Sequence, residues 1–243
     1  MIQLFETMKS ALERRENVVL CSILASSGSA PRGAGAKMAV FQNGQALGTI
    51  GGGAVERIAA QQATELFQTG ASYCQAFCLA PNQVNDIGMI CGGSVTVYFR
   101  FFDHENARDL ELIKTILELL ASGQDAWLVS RMEDGKIAAM GTFDEAHGLR
   151  FAELDETMLR PWLTSSAVYR KGEPSYYVEP ISRAGRVYVF GGGHVGKALV
   201  PVLANVDFRV AVFDNREDFA KRRRPGSGRR RAADRWGHSR TAG

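Results

Sequence analysis

The chain has 243 residues, 45% hydrophobic and 23% charged, a globular balance with room for one full core and part of a second. No apolar run reaches the roughly 18 residues of a membrane-spanning helix, and the N-terminus Met1-Ile2-Gln3-Leu4-Phe5 has no export signal, so a soluble cytoplasmic protein without a membrane partner is expected. Net charge is +3 but uneven: from Phe219 on, nine Lys or Arg stand against one acid, Asp234, while the first 218 residues carry 20 basic and 25 acidic side chains.

The spacing of Ile2, Phe5, Met8 and Leu12 predicts an amphipathic helix over 1–15, and Val18–Leu24 reads as a strand. A glycine-rich loop, Ser26 to Gly35, leads to a strand over 37–42. Asn43-Gly44 signals a type I′ hairpin turn with a return strand over 46–50. Gly51-Gly52-Gly53 then opens a helix over 54–67 that stops near Gly70. Strands are predicted at 73–79 and 94–102, a helix at 110–120, and a hairpin of 126–131 with 137–142 around Asp134-Gly135. A short helix at 156–163 and a strand at 175–180 complete an α+β domain over 1–180.

A second unit is predicted over 185–218, so the chain as a whole is α/β in class. A strand at 186–190 runs into Gly191-Gly192-Gly193-His194-Val195-Gly196, a helix at 197–204 follows, and a second strand, 208–213, ends at Asp214. This is the first β-α-β unit of a truncated Rossmann-like, nucleotide-binding domain. Gly191 permits the tight turn, Gly193 lets backbone approach a pyrophosphate, and Gly196 lets helix pack on strand. The helix N-terminus attracts phosphate, and Asp214 would bind ribose hydroxyls. Arg216 would instead accommodate a 2′-phosphate, leaving NAD and NADP both open. His194 reads either as a catalytic group or as a solvent-facing residue at the helix start. A complete doubly wound domain needs further β-α units after Asp214, but residues 219–243 are rich in Arg, Gly and Ala with no apolar periodicity. They are expected to form a disordered basic tail, and we read them as a frameshifted continuation of a GC-rich gene, which the other two reading frames of the DNA would check. The other reading is a nucleic-acid-binding arm; with only Trp236 available for stacking, nucleic acid is the weaker choice. A sheet edge left open by truncation would favour a homo-oligomer.

Three features of the first domain stand together: Gly28-Ser29-Ala30-Pro31-Arg32-Gly33-Ala34-Gly35-Ala36-Lys37-Met38, Gly48-Thr49-Ile50-Gly51-Gly52-Gly53-Ala54-Val55-Glu56, and Cys91-Gly92-Gly93. With the Gly191–Gly196 motif downstream and in this order, the chain resembles the xanthine dehydrogenase accessory (XdhC/CoxI) family over residues 1 to about 218. The resemblance implies a chaperone without turnover of its own. Such a protein binds the molybdenum cofactor (molybdopterin), protects it, and delivers it after sulfuration to a xanthine dehydrogenase-type molybdenum hydroxylase. A cysteine desulfurase is implied as a second partner.

The residues themselves suit that chemistry. Gly51, Gly52 and Gly53 before a helix form a candidate anion cradle. Arg32, stiffened by Pro31, offers a planar fork for phosphate oxygens, and Ser29 a hydroxyl. Glu56 reads as a site residue or as a complement to the helix dipole, and Lys37 as a solvated strand residue. Cys91, flanked by Gly92 and Gly93, is a candidate soft metal ligand or sulfur relay, against the alternative of a small buried hydrophobe. Cys21 is expected in the core. Cys74 and Cys78 share a strand face, and two thiols alone make a poor zinc site. From a different class, an NAD(P)-dependent oxidoreductase built on the C-terminal motif is the alternative; it needs a complete nucleotide domain and a proton donor.

Overall fold

The computed structural model describes residues 1–28, 33–78, 93–134, 136–181, 186–205 and 208–216. The chain divides into two compact units, Met1–Ile181 and Ser182–Gly243.

The first unit holds helices α1 (Ile2–Glu13), α2 (Gly53–Thr69), α3 (Ala107–Ser122) and α4 (Glu156–Leu159). Its strands are β1 (Val18–Gly28), β2 (Lys37–Phe41), β3 (Ala46–Gly48), β4 (Tyr73–Cys78), β5 (Gly93–Phe102), β6 (Ala126–Glu133), β7 (Lys136–Asp144), β8 (Gly148–Arg150), β9 (Val168–Arg170) and β10 (Ser175–Pro180). They form one sheet in the order β3-β2-β1-β5-β4-β7-β6-β10-β9, with β8 on β7, and neighbouring strands run antiparallel.

The apolar run of β1 follows from burial on both faces. Val18, Leu20 and Leu24 pack with Phe5 and Met8 of α1 and Leu112 and Ile116 of α3. Val19, Cys21 and Ile23 pack with Val55, Ala59 and Ala63 of α2. A sheet covered on both sides loses the alternation of a half-exposed strand, which is why this stretch reads as continuous hydrophobe. A third cluster joins Val129, Phe143 and Val178 to Leu159, with Trp162 against it. The sheet also curls. Five steps separate β1 from β10 in the strand order, yet the rings of Tyr98 and Tyr177 meet edge-on at 6.3 Å, and Tyr177 Oη donates to Ile23 O at 3.1 Å.

Several expectations are corrected in detail. The β2–β3 hairpin exists, but only Gly44 has positive φ, +79°; Gly44 N–H donates to Phe41 O, and Phe41 N–H to Gln45 O. That is a three-residue loop ending in a left-handed glycine, not a two-residue type I′ turn. The helix expected over 156–163 is α-helical only to Leu159 and continues as a 3₁₀ turn through Arg160–Trp162, which contains Pro161. β8 and β9 were not predicted; at three residues each they are too short to show a period. Gly141 makes room for the β8 segment, because a Cβ there would strike Arg150 O and Ala152.

The second unit contains β11 (Arg186–Phe190), α5 (His194–Asn205) and β12 (Arg209–Phe213). The strands are parallel, with Val187 opposite Val210 and Val189 opposite Val212, as expected of a Rossmann-type β-α-β unit. Val210 and Val212 are buried. Phe190 stacks on Phe213 with ring centroids 5.3 Å apart and is nevertheless 81% exposed.

Candidate functional site

The segments carrying the three N-terminal motifs meet at one end of the sheet. Gly28, the last residue of β1, pairs with Gly93, the first of β5. β2 starts at Lys37 beside β1, with Lys37 opposite Ser22. Thr49, just after β3, donates its N–H to Lys37 O at 2.9 Å. Antiparallel pairing explains the convergence: strands that leave and enter the same connections must present those ends together. Ser29, Arg32, Cys91 and Gly92 lie outside the described residues; Gly28 and Gly33 bracket the first two and Gly93 follows the others.

The glycine turn before α2 departs from the expected anion cradle. Gly51, Gly52 and Gly53 all have positive φ, at +128°, +75° and +65°, so glycine is required for the turn. The N–H groups of Ile50, Gly51 and Gly52, however, are directed inward. Glu56 Oε2 accepts from Thr49 Oγ1 at 2.5 Å, Ile50 N at 3.1 Å and Gly52 N at 2.9 Å, and Gly51 N–H donates to Thr49 Oγ1 at 3.1 Å. A carboxylate thus stands where a phosphate was expected, and Glu56 organises the turn beyond complementing a dipole. Burial would raise its pKa, but the Thr49 hydroxyl and the N–H groups of Gly52, Ile50 and Gly51 outweigh this and hold it below the ordinary glutamate range.

Lys37 is also corrected. Expected in solvent, it is 8% exposed. Its Nζ donates to both carboxylate oxygens of Glu179 at 2.5 Å and to Gly35 O at 3.3 Å. Around the pair lie the fully buried Ser22, Tyr98, Ser130 and Tyr177. Burial, followed by the nearby Glu179 carboxylate, pushes the phenols of Tyr98 and Tyr177 far above their ordinary pKa. Sequence reasoning missed this interior. The one available signal was an acid at an inward position of an otherwise apolar and aromatic strand, Tyr176-Tyr177-Val178-Glu179, whose cationic partner is 142 residues away.

Cys21 lies in the core, as expected, and burial, with Glu56 second, keeps its thiol well above the ordinary range. Cys74 is half-buried; burial pushes its pKa up to about 11, and its Sγ sits 3.6 Å from Met132 Sδ. Neither is a ready thiolate. Among the described residues no group of three or more His, Cys, Asp or Glu is arranged to hold a metal ion.

In the second unit, Gly191 has φ +110° and forms the tight turn. A Cβ on Gly196 would strike Gly191 O, so that glycine does permit the close helix-to-turn approach. Gly193 is open, its nearest neighbour being Arg216 Nη2 at 4.0 Å from an ideal Cβ. His194 begins α5 and faces solvent. Asp214 Oδ2 accepts from Gly192 N at 2.8 Å and Arg216 Nη2 at 2.9 Å, and Oδ1 from Arg216 N and Nε at 2.9 Å. Arg216, with the backbone N–H groups, holds the Asp214 carboxyl well below its usual range. Ribose recognition by Asp214 would therefore require Arg216 to release at least one oxygen.

A curled antiparallel domain with glycine motifs at one end, followed by a parallel Rossmann-type unit, defines a two-part architecture found in known proteins. Residues 11–77 match the XdhC and CoxI family, and residues 187–238 match the XdhC Rossmann domain; the second match runs into the segment that composition set apart from Phe219 on. The two matches are to the two parts of one family's plan, in the order in which the two units follow along this chain. It is 26% identical over 216 residues to a Bacillus subtilis protein described as a probable xanthine dehydrogenase subunit, covering 86% of this chain and 63% of that protein. A Bacillus halodurans protein solved as a xanthine dehydrogenase shares the fold with a TM-score of 0.70 at 21% identity, over 90% of this chain and 64% of that one. The chain thus spans under two thirds of the length of these relatives.

Proposed function

We propose that this protein is an accessory chaperone of a xanthine dehydrogenase-type molybdenum hydroxylase, binding molybdopterin at the rim of the first unit and handing it on after sulfuration. The observation that carries the reading is the joining of the three glycine motifs at one sheet end, through the Gly28–Gly93 pair and the Thr49–Lys37 bond. The two family matches and the likeness to proteins described as xanthine dehydrogenases support the same context. The residues fit such a group in part. The 51–53 turn does not offer its Gly51 and Gly52 N–H groups to phosphate while Thr49 Oγ1 and Glu56 take them, so phosphate binding falls to Ser29 and Arg32, and the metal or its sulfur to Cys91 beside Gly92 and Gly93. Molybdopterin would supply the metal and its sulfur ligands; the protein would orient and shield it. The hydroxylase and a cysteine desulfurase are the proposed partners, and the cytoplasm the proposed location; no described helix is long and apolar enough to cross a membrane.

The test is to purify the protein with and without molybdenum cofactor and measure bound pterin by fluorescence. Arg32→Ala and Cys91→Ala are expected to weaken binding about tenfold, the loss of roughly one charge-assisted contact, with unchanged circular dichroism. Wild-type protein that retains no pterin, or variants that bind as well as wild type, would end the proposal. For the second unit, the parallel β-α-β geometry with Gly191, Gly196 and Asp214 favours nucleotide binding, and an NAD(P)-dependent oxidoreductase is the second reading. Titration with NAD and NADP tests it.

A further inference from the structure

We propose that Glu179 and Tyr177, on strand β10, are positioning residues for Gly33–Lys37, the described stem of the first glycine motif, holding it from a strand more than 140 residues away. The proposal rests on the reading of the first glycine motif as a cofactor loop.

The stem has little of its own to fix it. Ile23 O accepts Gly35 N–H at 2.9 Å and Ile23 N–H donates to Ala36 O at 3.0 Å, but the residues that close it, Gly33, Ala34, Gly35 and Ala36, bring almost no side chain to pack. Strand β10 supplies what they lack. Tyr177 Oη donates to the same Ile23 carbonyl at 3.1 Å. Glu179 holds Lys37 Nζ, which also donates to Gly35 O. Gly35, at φ +91°, lies so close that a Cβ there would stand 3.3 Å from Glu179 Oε2. The second motif is anchored on the same lysine: Lys37 O accepts Thr49 N–H, and a Cβ on Gly48 would come within 2.5 Å of that oxygen. Lys37 is therefore the joint of both glycine motifs, and Glu179 fixes the joint. A buried ion pair is a poor stabiliser compared with well-packed apolar groups, because both charges lose their hydration. Its place at this joint, with both side chains 5% exposed, fits a geometric role better than an energetic one.

The experiment compares wild type with Tyr177→Phe, Glu179→Gln and the double variant Lys37→Met/Glu179→Leu, which removes both charges and leaves none unpaired. Amide exchange at Ile23 and Gly35 is followed by NMR with the α3 amides as reference, alongside the melting temperature and pterin affinity. The double variant is expected to melt at or above the wild-type temperature, yet to exchange Ile23 and Gly35 at least tenfold faster relative to α3 and to bind pterin at least tenfold more weakly. Tyr177→Phe should show a smaller change in the same direction, and Glu179→Gln a change in both exchange and melting. A folded double variant whose stem amides exchange like wild type overturns the inference. So does one that binds pterin as wild type does. If wild-type protein binds no pterin, the cofactor reading fails, and the exchange data alone decide whether β10 positions the stem.

Discussion

In the first unit the central strands are covered on both faces, and even its charges are paired inside; in the second, a two-stranded parallel sheet leaves Tyr188 52% and Phe190 81% exposed while α5 turns Val195 and Val202 outward. The difference is one of connectivity. Antiparallel strands joined by hairpins can close a core from a short stretch of chain, whereas a parallel sheet reaches two-sided burial only by adding further crossover units. Local geometry in the second unit is complete, with its glycine turn, helix start and Asp214 clasp all formed; what it lacks among the described residues is cover.

The contrast can be broken most forcefully in the first unit. Glu179→Ala leaves Lys37 buried without its partner and is expected to cost about 3–5 kcal/mol, read as a lower urea midpoint in the fluorescence of Trp127 and Trp162. An unshifted midpoint would mean that the lysine reaches water. In the second unit, Gly196→Val drives a side chain into Gly191 O and should cost about 1–3 kcal/mol. Exchange should quicken at Val187–Phe190 while the first unit's urea transition stays in place; a shift in that transition would show the two units to be energetically coupled.

A smaller effect tests the turn before α2. Glu56 is held below the ordinary glutamate range, so its contribution is complete above the unfolded value, about pH 4.3, and is lost as pH falls through the lower folded value. Glu56→Gln should cost about 1 kcal/mol at pH 7 and should flatten the acid limb of the stability curve. An acid limb identical to wild type would show that the carboxylate does not organise the turn.

How much could be read in advance varied with the range of the forces involved. Helix ends were legible where glycine takes a left-handed conformation, as at Gly70, φ +63°. The Gly191–Gly196 turn was legible because the constraint, a helix pressed on a strand, lies within six residues. The Asn43-Gly44 hairpin was half legible: a glycine there demands a turn, but the loop length was set by where Met38 and Val40 found their partners on β3. Lys37 was misread because a lysine on a strand gives no sign of its surroundings; only the curling of the sheet brings Glu179 to it. The role of Glu56 in the glycine turn was hidden for a similar reason, since a run of glycines shows N–H groups to be available but not which acceptor takes those of Gly51 and Gly52.

Sequence alone was enough for the order and type of the longer elements and for the likeness to one family, which rest on periodicity, glycine stereochemistry and short-range spacing. Tertiary structure decided which end of the sheet gathers the three motifs, that Glu56 closes its own turn, and that a buried ion pair joins the first glycine loop to the last long strand of its unit. Those outcomes depend on strand order and sheet curvature, which arise from long-range pairing and leave no local mark on the chain.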